Sequence, residues 1–288
     1  MNILIFGSSG QLGSDIFKEL SFTKLYNIYR PASSEINLSK KDFIKKINTK
    51  KYDYIINCAA IHDVDFAQKN TELTYHLNSY VPEELAKYCD LNNCHLIHFS
   101  TDYVFDGIRS NNLEYIEEDL TNPINIYGAS KELGEKKIKS LLKNYYIFRV
   151  STLFGSTPPR GKKYNFVDAI INKFKNNESL SVVSDQFSKP TSTLFISRIV
   201  KEMIQNKIES GLYHLTNNQS LSFYDYASKI LRFLTSNYAI QKINYNDLKF
   251  KVERPKFSSL NSNKIYTYSK INNDLEFYLK DYIKKKYV

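Results

Sequence analysis

The chain has 288 residues, and its 40 Lys and Arg outnumber its 30 Asp and Glu, which gives a formal net charge of +10. Hydrophobic residues make up 42% of the chain and aromatic residues 14%, which is enough for a packed core and excludes a disordered chain. The length fits one large α/β domain or two coupled domains. The positive charge either favours an anionic ligand or serves no ligand.

The cysteines and the N-terminus bear on the cellular compartment. Cys58, Cys89 and Cys94 form no C-x-x-C pair and no disulfide framework, which favours a reducing compartment. The apolar run 3–6 is too short for a secretory signal, and no stretch reaches the ~18 apolar residues that a membrane-spanning helix needs. No basic cluster with interleaved aromatic residues is present. We therefore expect a cytoplasmic protein that binds neither membranes nor nucleic acid.

Short apolar runs alternate with helical patterns through the first half of the chain. The predicted strands are 3–6, 25–29, 54–57, 96–99 and 146–150. The predicted helices are 11–20, 39–48, 71–92 and 124–143, with Pro82 inside the third, where it removes a backbone donor. Strands separated by helices of this length indicate βαβ crossovers, so the predicted fold class is α/β, a Rossmann-type doubly wound parallel sheet.

The pattern loosens after residue 151 and predicts a smaller, mixed α/β region. A helix at 166–174, a strand at 181–183, a strand at 212–215 and a helix at 223–234 are expected there. We predict a dinucleotide-binding domain over 1–151 that is rejoined by about 193–216. The substrate-binding domain would then comprise 152–192 and 217–288.

A glycine-rich motif follows the first predicted strand and opens the first predicted helix. It reads Gly7-Ser8-Ser9-Gly10-Gln11-Leu12-Gly13. Glycines at this spacing allow a tight turn, close approach of the backbone to a pyrophosphate, and close packing of the helix on the strand. The open N–H groups of the helix N-terminus then receive the phosphates. The motif predicts that a dinucleotide binds at this turn.

The end of the second predicted strand bears on the choice between the two nicotinamide cofactors. An Asp or Glu at this place would hold the ribose 2′-hydroxyl of NAD, but the sequence has Arg30 followed by Ser33 and Ser34. A guanidinium suits a 2′-phosphate, so NADPH is the favoured cofactor. In the alternative interpretation Arg30 is an ordinary surface residue, and Glu35 serves NADH.

Two further motifs carry groups suited to proton transfer. The segment from Ser100 to Gly107 begins at the carboxyl end of the fourth predicted strand, the edge at which open α/β sheets bind ligands. Tyr127 and Lys131 stand four residues apart and share one face of a helix. A nearby ammonium stabilises a phenolate, so Lys131 would make Tyr127 a usable acid or base. A hydroxyl from Ser100 or Thr101 would orient a substrate carbonyl.

Stretches along nearly the whole chain resemble one enzyme family. The sequence is similar to the extended short-chain dehydrogenases/reductases, and within them to the dTDP-4-dehydrorhamnose reductase family. The similar stretches, in family order, are 7–13, 57–60, 64–65, 100–107, 127–135, 149–151, 165–166, 185–191, 211–215 and 254–255. The strings Ser-Thr-Asp-Tyr-Val-Phe-Asp-Gly and Asp-Gln-Phe-Ser-Lys-Pro-Thr are typical of this sugar-nucleotide branch.

The resemblance implies roles for individual residues. The catalytic group would be Thr101, Tyr127 and Lys131, and Asn78 would order a water behind the lysine. The expected cofactor contacts are Gly7, Ser9, Gly10, Gln11, Leu12, Gly13, Arg30, Asn37, Leu38, Cys58, Ala59, Ala60, Asn78, Tyr127 and Lys131. The expected substrate contacts are Ser100, Asp102, Tyr103, Val104, Asn165, Asp185, Gln186, Pro190 and Thr191. Turn formation before Pro190 is the alternative role for Asp185 and Gln186.

Several positions depart from the family pattern. Thr152 and Phe223 stand where the family usually has tryptophan, and the loss of an aromatic wall next to the sugar would change which hexose fits. His62 occupies a position where a tyrosine or threonine is common, and either a pocket or a surface role suits it. Only Asp15 matches the acidic positions that some relatives use for a magnesium ion, so no metal is expected. The resemblance also implies a homodimer.

The resulting functional hypothesis is reduction by NADPH of the C4 ketone of a nucleotide-activated 4-keto-6-deoxy sugar, as in dTDP-L-rhamnose-type synthesis for surface polysaccharides. A reductase or epimerase for a different nucleotide sugar is one alternative. A noncatalytic dinucleotide-binding regulatory subunit is another, and retention of Thr101, Tyr127 and Lys131 argues against it because a regulator needs no acid–base pair.

Overall fold

The computed structural model describes residues 1–48, 50–109, 113–235 and 237–287. The strands are β1 Asn2–Phe6, β2 Asn27–Tyr29, β3 Tyr54–Asn57, β4 His95–Thr101, β5 Tyr145–Val150, β6 Leu153–Phe154, β7 Ser181–Val183, β8 Phe187–Ser188, β9 Thr191–Ser192, β10 Gly211–Leu215, β11 Leu221–Ser222 and β12 Gln241–Ile243. The helices are α1 Gln11–Ser21, α2 Phe43–Ile47, α3 Val64–Lys69, α4 Thr71–Tyr75, α5 Val81–Asn92, α6 Ile126–Leu141, α7 Phe166–Lys175, α8 Thr193–Asn206, α9 Phe223–Arg232 and α10 Leu275–Tyr287.

Six strands form one sheet in the order β10-β5-β4-β3-β1-β2, and every neighbouring pair is parallel. The chain runs from β1 outward to β2 and then returns to β3 on the other side of β1. This reversal of strand order creates the crevice in which doubly wound sheets bind their ligands. The predicted α/β Rossmann class is confirmed.

Alternating side chains of the parallel strands fill two cores, one on each face of the sheet. Ile3 and Ile5 of β1 point into the core that α1 and α8 cover. Leu4 points into the opposite core, which is closed by α5 and α6 through residues such as Leu85 and Ile138. Because both faces are covered, the strands are apolar on both sides, and all four residues of β3 are buried.

The predicted helix over 71–92 is helical throughout, but a π-turn divides it. The structure has α4, then one turn of π-helix over His76–Tyr80, then α5, with Pro82 in the first turn of α5. Proline is tolerated there because the first backbone N–H groups of a helix have no partner within it. The π-turn inserts extra backbone and carries Asn78 at its centre.

The second half of the chain forms a lobe over the carboxyl end of the sheet. Three two-stranded pairs, β8 with β11, β7 with β12, and β6 with β9, are surrounded by α7, α9 and α10. A small core of Val104, Phe105, Tyr115, Phe257 and Leu260 lies where this lobe meets the segment after β4. β10 lies at one edge of the main sheet, beside β5. No helix in the described part of the chain is both long and apolar enough to span a membrane.

Candidate active site

The glycine-rich turn after β1 is built for close backbone contacts. Gly7 has φ +73°, and a Cβ on it would lie 2.7 Å from the amide nitrogen of Ala59. A Cβ on Gly13 would lie 2.3 Å from the carbonyl oxygen of Gly7. Both distances are far below van der Waals contact, so only glycine lets the turn, the first turn of α1 and the loop after β3 meet.

The N-terminus of α1 opens from this turn with unpaired donors. Gly10 is its N-cap residue and supplies no side-chain acceptor to the first turn. Ser9 is exposed, Leu12 is buried in the core, and the amide of Gln11 donates to the carbonyl oxygen of Leu153 at 3.3 Å. A glycine cradle below a helix N-terminus with open N–H groups fits the pyrophosphate of a dinucleotide.

The end of β2 separates the two cofactor interpretations. Arg30 is exposed, and its guanidinium carbon lies 3.8 Å from the centre of the Phe17 ring. Stacking on Phe17 holds the guanidinium beside α1 while its N–H groups stay available for an anion. Glu35 instead accepts a hydrogen bond from the hydroxyl of Tyr29, which raises the pKa of that tyrosine to about 12. The carboxylate proposed for an NAD ribose is therefore already engaged.

The remaining predicted cofactor residues lie on the loops around this edge. The side chain of Asn37 accepts from the amide of Ser39 at 2.9 Å, and the carbonyl oxygen of Leu38 is 2.9 Å from Nε2 of His76. Cys58, Ala59 and Ala60 follow β3 directly and are half-buried. Cys58 lies close enough to Lys131 for the ammonium to oppose the rise that burial causes in its thiol pKa.

Thr101 and Tyr127 meet at the carboxyl end of β4. Thr101 is the last residue of the strand, and Tyr127 lies in the first turn of α6, which Asn125 caps by accepting from the amide of Gly128 at 2.9 Å. The hydroxyl of Thr101 lies close enough to that of Tyr127 to lower its pKa. The ring of Tyr103 meets that of Tyr127 edge to face, with 5.8 Å between centroids.

The electrostatics of the pair follow from burial. Desolvation raises the pKa of Tyr127 to about 12, and the nearby hydroxyl of Thr101 opposes that rise. Lys131 follows one helical turn later and is 2% exposed. Desolvation lowers the pKa of Lys131 to about 8, against the attraction of Glu135. A tyrosine that holds its proton and a lysine that loses its proton slightly above neutral pH therefore lie one turn apart on α6.

His98 is a member of this site that the sequence reasoning missed. Its Nε2 atom is 3.1 Å from Nζ of Lys131, and its side chain is fully buried. A signal was present, since β4 reads His-Leu-Ile-His-Phe-Ser-Thr and places a polar ring in the middle of an apolar run. Because buried polar groups are almost always hydrogen-bonded, a histidine in a buried strand is expected to have a polar partner.

Asp102 is a hydrogen-bonding centre rather than an open substrate contact. It is 3% exposed and accepts from Thr101 at 3.0 Å, Ser151 at 2.7 Å and Ser258 at 2.5 Å. Burial raises the pKa of its carboxyl, and these three donors oppose the rise. Ser100 and Val104 are also buried, and Val104 belongs to the small core beside β4. Among the predicted substrate residues of this segment, Tyr103 is the half-buried one.

Asn78 joins the loop after β3 to α6. Its side-chain oxygen accepts from the amide of Ile61 at 2.9 Å, and its amide donates to the carbonyl oxygen of Ile61 at 2.9 Å and to Ser130 at 3.0 Å. The water that Asn78 is expected to order stays a prediction. The Nε2 atom of neighbouring His62 is buried without a partner, and burial lowers the pKa of that ring.

The predicted substrate residues of the second lobe are mostly held by structural contacts. Asn165 caps α7 by accepting from the amide of Asp168 at 3.0 Å and donates to the hydroxyl of Tyr282 at 2.9 Å. The hydroxyl of Thr191 donates to the carbonyl oxygen of Lys189 at 2.8 Å, and Pro190 is buried beside it. These contacts hold α7 against α10 and fix the turn before β9.

Asp185 and Gln186 lie where the lobe borders the segment around Arg254. Asp185 accepts from the amide of Tyr245 at 2.5 Å, and Gln186 donates to the carbonyl oxygen of Pro255 at 3.0 Å. A cavity of about 410 Å³ opens here. Its charged lining residues are Asp106, Arg109, Asp185, Glu253, Arg254 and Lys256.

Two ion pairs cross from the loop after β3 to the second lobe. Arg254 lies 3.1 Å from Asp65, and Lys162 lies 3.2 Å from Asp63. Nε of Arg254 is buried without a partner, and the charge of Arg254 opposes the rise that burial causes in the pKa of Tyr103. Arg254 therefore links the cavity to the tyrosines at the end of β4.

The departures from the family pattern have defined places. Thr152 follows β5 with φ +36°, a strained value for a branched residue, and its hydroxyl donates to Ser188 at 2.9 Å. Phe223 meets Phe166 edge to face at 5.2 Å. Asp15 accepts from the hydroxyl of Thr193 at 2.5 Å and from that of Ser156 at 2.7 Å, so both carboxylate oxygens are hydrogen-bonded within the protein.

Comparison with known proteins identifies the family. The sequence profile described as the RmlD substrate binding domain matches residues 1–287. A dTDP-4-dehydrorhamnose reductase from Aggregatibacter actinomycetemcomitans is 32% identical over 275 residues, and the match covers 91% of each chain. The crystal structure of a dTDP-4-dehydrorhamnose reductase from Clostridium acetobutylicum superposes with a TM-score of 0.91 at 33% identity, covering 99% of both chains. The enzyme of that name from Bacillus anthracis, solved in complex with NADP, gives a TM-score of 0.90 at 30% identity, again covering 99% of both chains. The chain therefore belongs to the dTDP-4-dehydrorhamnose reductase family.

Proposed function

We propose that Thr101, Tyr127 and Lys131 carry the chemistry by which this NADPH-dependent oxidoreductase reduces the C4 ketone of a nucleotide-activated 4-keto-6-deoxy sugar, as dTDP-4-dehydrorhamnose reductases do. One observation carries the assignment of roles. Tyr127 and Thr101 come together at the carboxyl end of β4, where Thr101 lowers the pKa of Tyr127, and Lys131 lies one turn further along the same helix. Parallel sheets bind their ligands at this edge.

The chemistry divides between cofactor and protein. NADPH, when bound, supplies a hydride to the C4 carbonyl carbon. Tyr127 donates its proton to the carbonyl oxygen, and the ammonium of Lys131 stabilises the phenolate that this leaves. Thr101 donates to Asp102 in the protein alone, so it turns its O–H toward the carbonyl oxygen when substrate is present. The amide of Tyr103 donates to the hydroxyl oxygen of Thr101 at 3.2 Å, and this contact does not use the Thr101 proton.

The cofactor site is assigned to the crevice beside β1. Gly7, Gly10 and Gly13 let the pyrophosphate approach the N-terminus of α1, with Ser9, Gln11 and Leu12 in the same turn. Arg30, stacked on Phe17, is the proposed ligand of the 2′-phosphate. The loops that carry Asn37, Leu38, Cys58, Ala59 and Ala60 border the rest of the dinucleotide.

The sugar nucleotide is assigned to the cleft between Tyr103 and the second lobe. The proposed substrate domain comprises 152–192 and 217–288, while 193–216 returns to the cofactor domain through α8 and β10. Asp185 lines the cavity that Arg254 shares, and a guanidinium there suits a diphosphate. The other predicted substrate residues of this lobe then have a structural role and shape the wall of the cleft; they are Asn165, Gln186, Pro190 and Thr191.

Replacement of Tyr127 by Phe tests the assignment. We expect Tyr127→Phe to lower kcat by about 10²- to 10⁴-fold, the usual contribution of a positioned general acid, with NADPH affinity retained. Tyr146→Phe is the matched control, because it removes a tyrosine hydroxyl that donates to the carbonyl oxygen of Ile208 away from the site. A Tyr127→Phe enzyme that turns over dTDP-4-dehydrorhamnose at the wild-type rate would overturn the role given to Tyr127.

Thr152 favours a second candidate substrate. A small side chain at this position leaves room beside the sugar that a tryptophan would fill, so a different 4-keto hexose could be the preferred substrate. Turnover of a panel of dTDP-, UDP-, GDP- and CDP-linked keto sugars decides between them. A preference for a sugar other than dTDP-4-dehydrorhamnose would support the second candidate.

The assembly and the compartment stay predictions. A homodimer is expected from the family, and sedimentation measures it directly. Cys58, Cys89 and Cys94 are free thiols, which suits the cytoplasm. Localisation of a tagged chain tests that assignment.

A further inference from the structure

A buried polar chain runs behind the proposed catalytic lysine. Asn57 ends β3, His98 lies beside it on β4, and Lys131 reaches them from α6. Nδ2 of Asn57 is 3.3 Å from Nδ1 of His98, and Nε2 of His98 is 3.1 Å from Nζ of Lys131. None of the three side chains is more than 2% exposed.

Both neighbours of the imidazole bring hydrogen-bond donors. The side-chain oxygen of Asn57 accepts from the amide of Ala59 at 3.1 Å, which turns the NH₂ group of Asn57 toward His98. An ammonium on Lys131 faces the other ring nitrogen. A neutral imidazole offers one acceptor and one donor, so it cannot accept from both neighbours at once.

Protonation does not resolve this conflict. Burial and the charge of Lys131 both lower the pKa of His98, so the ring stays neutral. The shorter contact is with Lys131, and a bond donated by a charged group is about twice as strong as a neutral one. With Lys131 charged, Nε2 therefore accepts from the ammonium, and the ring proton sits on Nδ1 against the longer contact with Asn57.

Loss of the lysine proton reverses the preference. A neutral amine accepts from Nε2–H, which frees Nδ1 to accept from Asn57, so both ring nitrogens of His98 then have a partner. We propose that His98 is a positioning residue whose tautomer follows the protonation of Lys131, holding the ammonium while Lys131 is charged and exchanging its ring proton when that charge is lost.

The other charged groups around Lys131 are already engaged or neutral. Glu135 attracts the ammonium from one turn away, but its two oxygens accept from Arg149 at 3.0 and 2.7 Å. Lys139 lies 3.7 Å from the same carboxylate. Cys58 faces Lys131 as a thiol, because burial raises its pKa. His98 is thus the direct hydrogen-bond acceptor through which β4 sets the position of the lysine.

Nitrogen NMR of labelled protein tests the tautomer directly. In the wild type at pH 7 we expect the His98 resonances, identified by their loss in His98→Gln, to report a neutral ring with the proton on Nδ1. Lys131→Met removes the donor to Nε2, so the proton should move to Nε2. The same tautomer in both proteins, or a charged imidazolium in either, would overturn the proposal.

A titration of the wild type serves the same end without a variant that could fail to fold. Between pH 7 and 10 the ring should change from the Nδ1–H to the Nε2–H form as Lys131 loses its proton, and a tautomer that stays constant over this range contradicts the proposal. Both NMR readouts are independent of turnover. They can fail while the proposed reductase function stands, and they can succeed if that function is wrong.

The significance of His98 for catalysis rests on the proposed function and has its own kinetic test. We expect His98→Leu to move the alkaline limb of kcat to lower pH by about one unit, because the ammonium loses its acceptor. His98→Gln retains an acceptor near the position of Nε2 and should recover most of that shift. An unchanged alkaline limb in His98→Leu, with wild-type kcat, would show that His98 serves packing alone.

Discussion

Lys131 carries its charge in a place that disfavours charge. It is 2% exposed, and its close contact is a neutral imidazole rather than a carboxylate. Desolvation lowers its pKa to about 8, while the pKa of Tyr127 is raised to about 12. Because these shifts go in opposite directions, a range of pH exists in which Lys131 has lost its charge and Tyr127 still holds its proton.

The pH dependence of reduction follows from that order. We expect kcat/KM to be highest below pH 8 and to fall as the pH rises through about 8, because the group whose charge is needed deprotonates there. Rates from pH 6 to 10 measure the limb. Lys136→Met, on the same helix, is the matched control and should leave the limb in place, because this lysine is 62% exposed and pairs with Glu132. A limb near the ordinary lysine pKa of about 10.4 would contradict the assignment.

Arg30 is the residue on which the cofactor preference depends. Charge-assisted hydrogen bonds contribute about 1.5 to 3 kcal/mol, so Arg30→Ala should weaken NADPH binding by about 10- to 100-fold. NADH lacks the 2′-phosphate and provides the internal control, since its affinity should stay unchanged. Titration of both cofactors measures the effect. Equal losses for NADPH and NADH would mean that Arg30 supports α1 through Phe17 and does not bind the phosphate.

At the scale of elements, the glycines of the first turn have separable roles. A Cβ on Gly13 would lie 2.3 Å from a backbone oxygen that cannot move alone, whereas a Cβ on Gly10 would lie 3.3 Å from the same oxygen. Gly13 therefore joins α1 to the turn after β1. Gly10 serves the open helix N-terminus that the phosphates approach.

This difference predicts two distinct phenotypes. Gly13→Ala should lower the free energy of unfolding by about 1 to 3 kcal/mol and weaken NADPH binding, because α1 must shift from the turn. Gly10→Ala should weaken NADPH binding with a much smaller loss of stability. Denaturant unfolding and cofactor titration measure the two quantities. Equal stability losses would show that both glycines serve packing.

The elements that the sequence predicted well are those with a strong period. β3 is found at the predicted residues, and α1 and α7 end within one residue of prediction, because apolar alternation and helical spacing reflect burial. α3 was missed because six residues are too few to show a period. α8 was missed although Phe195, Ile199 and Met203 repeat at helical spacing. The π-turn over His76–Tyr80 was beyond prediction, because its extra backbone leaves the apolar pattern continuous.

The site could be predicted only as far as local spacing reaches. The pairing of Tyr127 with Lys131 follows from their separation of four residues on one helix. The contact of His98 with Lys131 depends instead on how α6 lies across β4, and no local pattern contains that crossing. Asp102 was predicted as a substrate contact for a related reason, since a sequence shows a carboxylate but not the three hydroxyl groups that surround it.

At the scale of the whole molecule, ion pairs join the start of α3 to the second lobe. The pairs Asp65 with Arg254 and Asp63 with Lys162 are both partly exposed, and the Arg254 and Asp65 side chains are 28% and 42% exposed. Exposed pairs contribute little to stability, with a median of about 0 to 1 kcal/mol. The pair with Asp65 matters for a different reason, since it gives Arg254 a carboxylate to contact when the diphosphate of the substrate is absent.

Removal of one carboxylate tests whether the pair competes with substrate. We expect Asp65→Asn to lower KM for the nucleotide sugar, because Arg254 no longer has to leave a carboxylate to reach the diphosphate. The free energy of unfolding should change by less than about 1 kcal/mol. Asp281→Asn, which breaks the pair with Lys285 on α10, is the control that should leave KM unchanged. An increase in KM would mean that Asp65 orients Arg254 for substrate.

Thr152 holds a consequence for how such a reductase changes its substrate over evolutionary time. The path of the chain at this residue is set by its neighbours, since its carbonyl oxygen accepts from the amide of Thr191 at 3.1 Å and β6 begins immediately after it. The left-handed backbone is therefore imposed on whichever side chain stands there. A position whose backbone is fixed from outside can exchange a large ring for a small group without moving the catalytic residues. Under the proposed placement of the sugar beside Thr152, a new sugar specificity would need only single substitutions there, with the proposed catalytic residues unchanged.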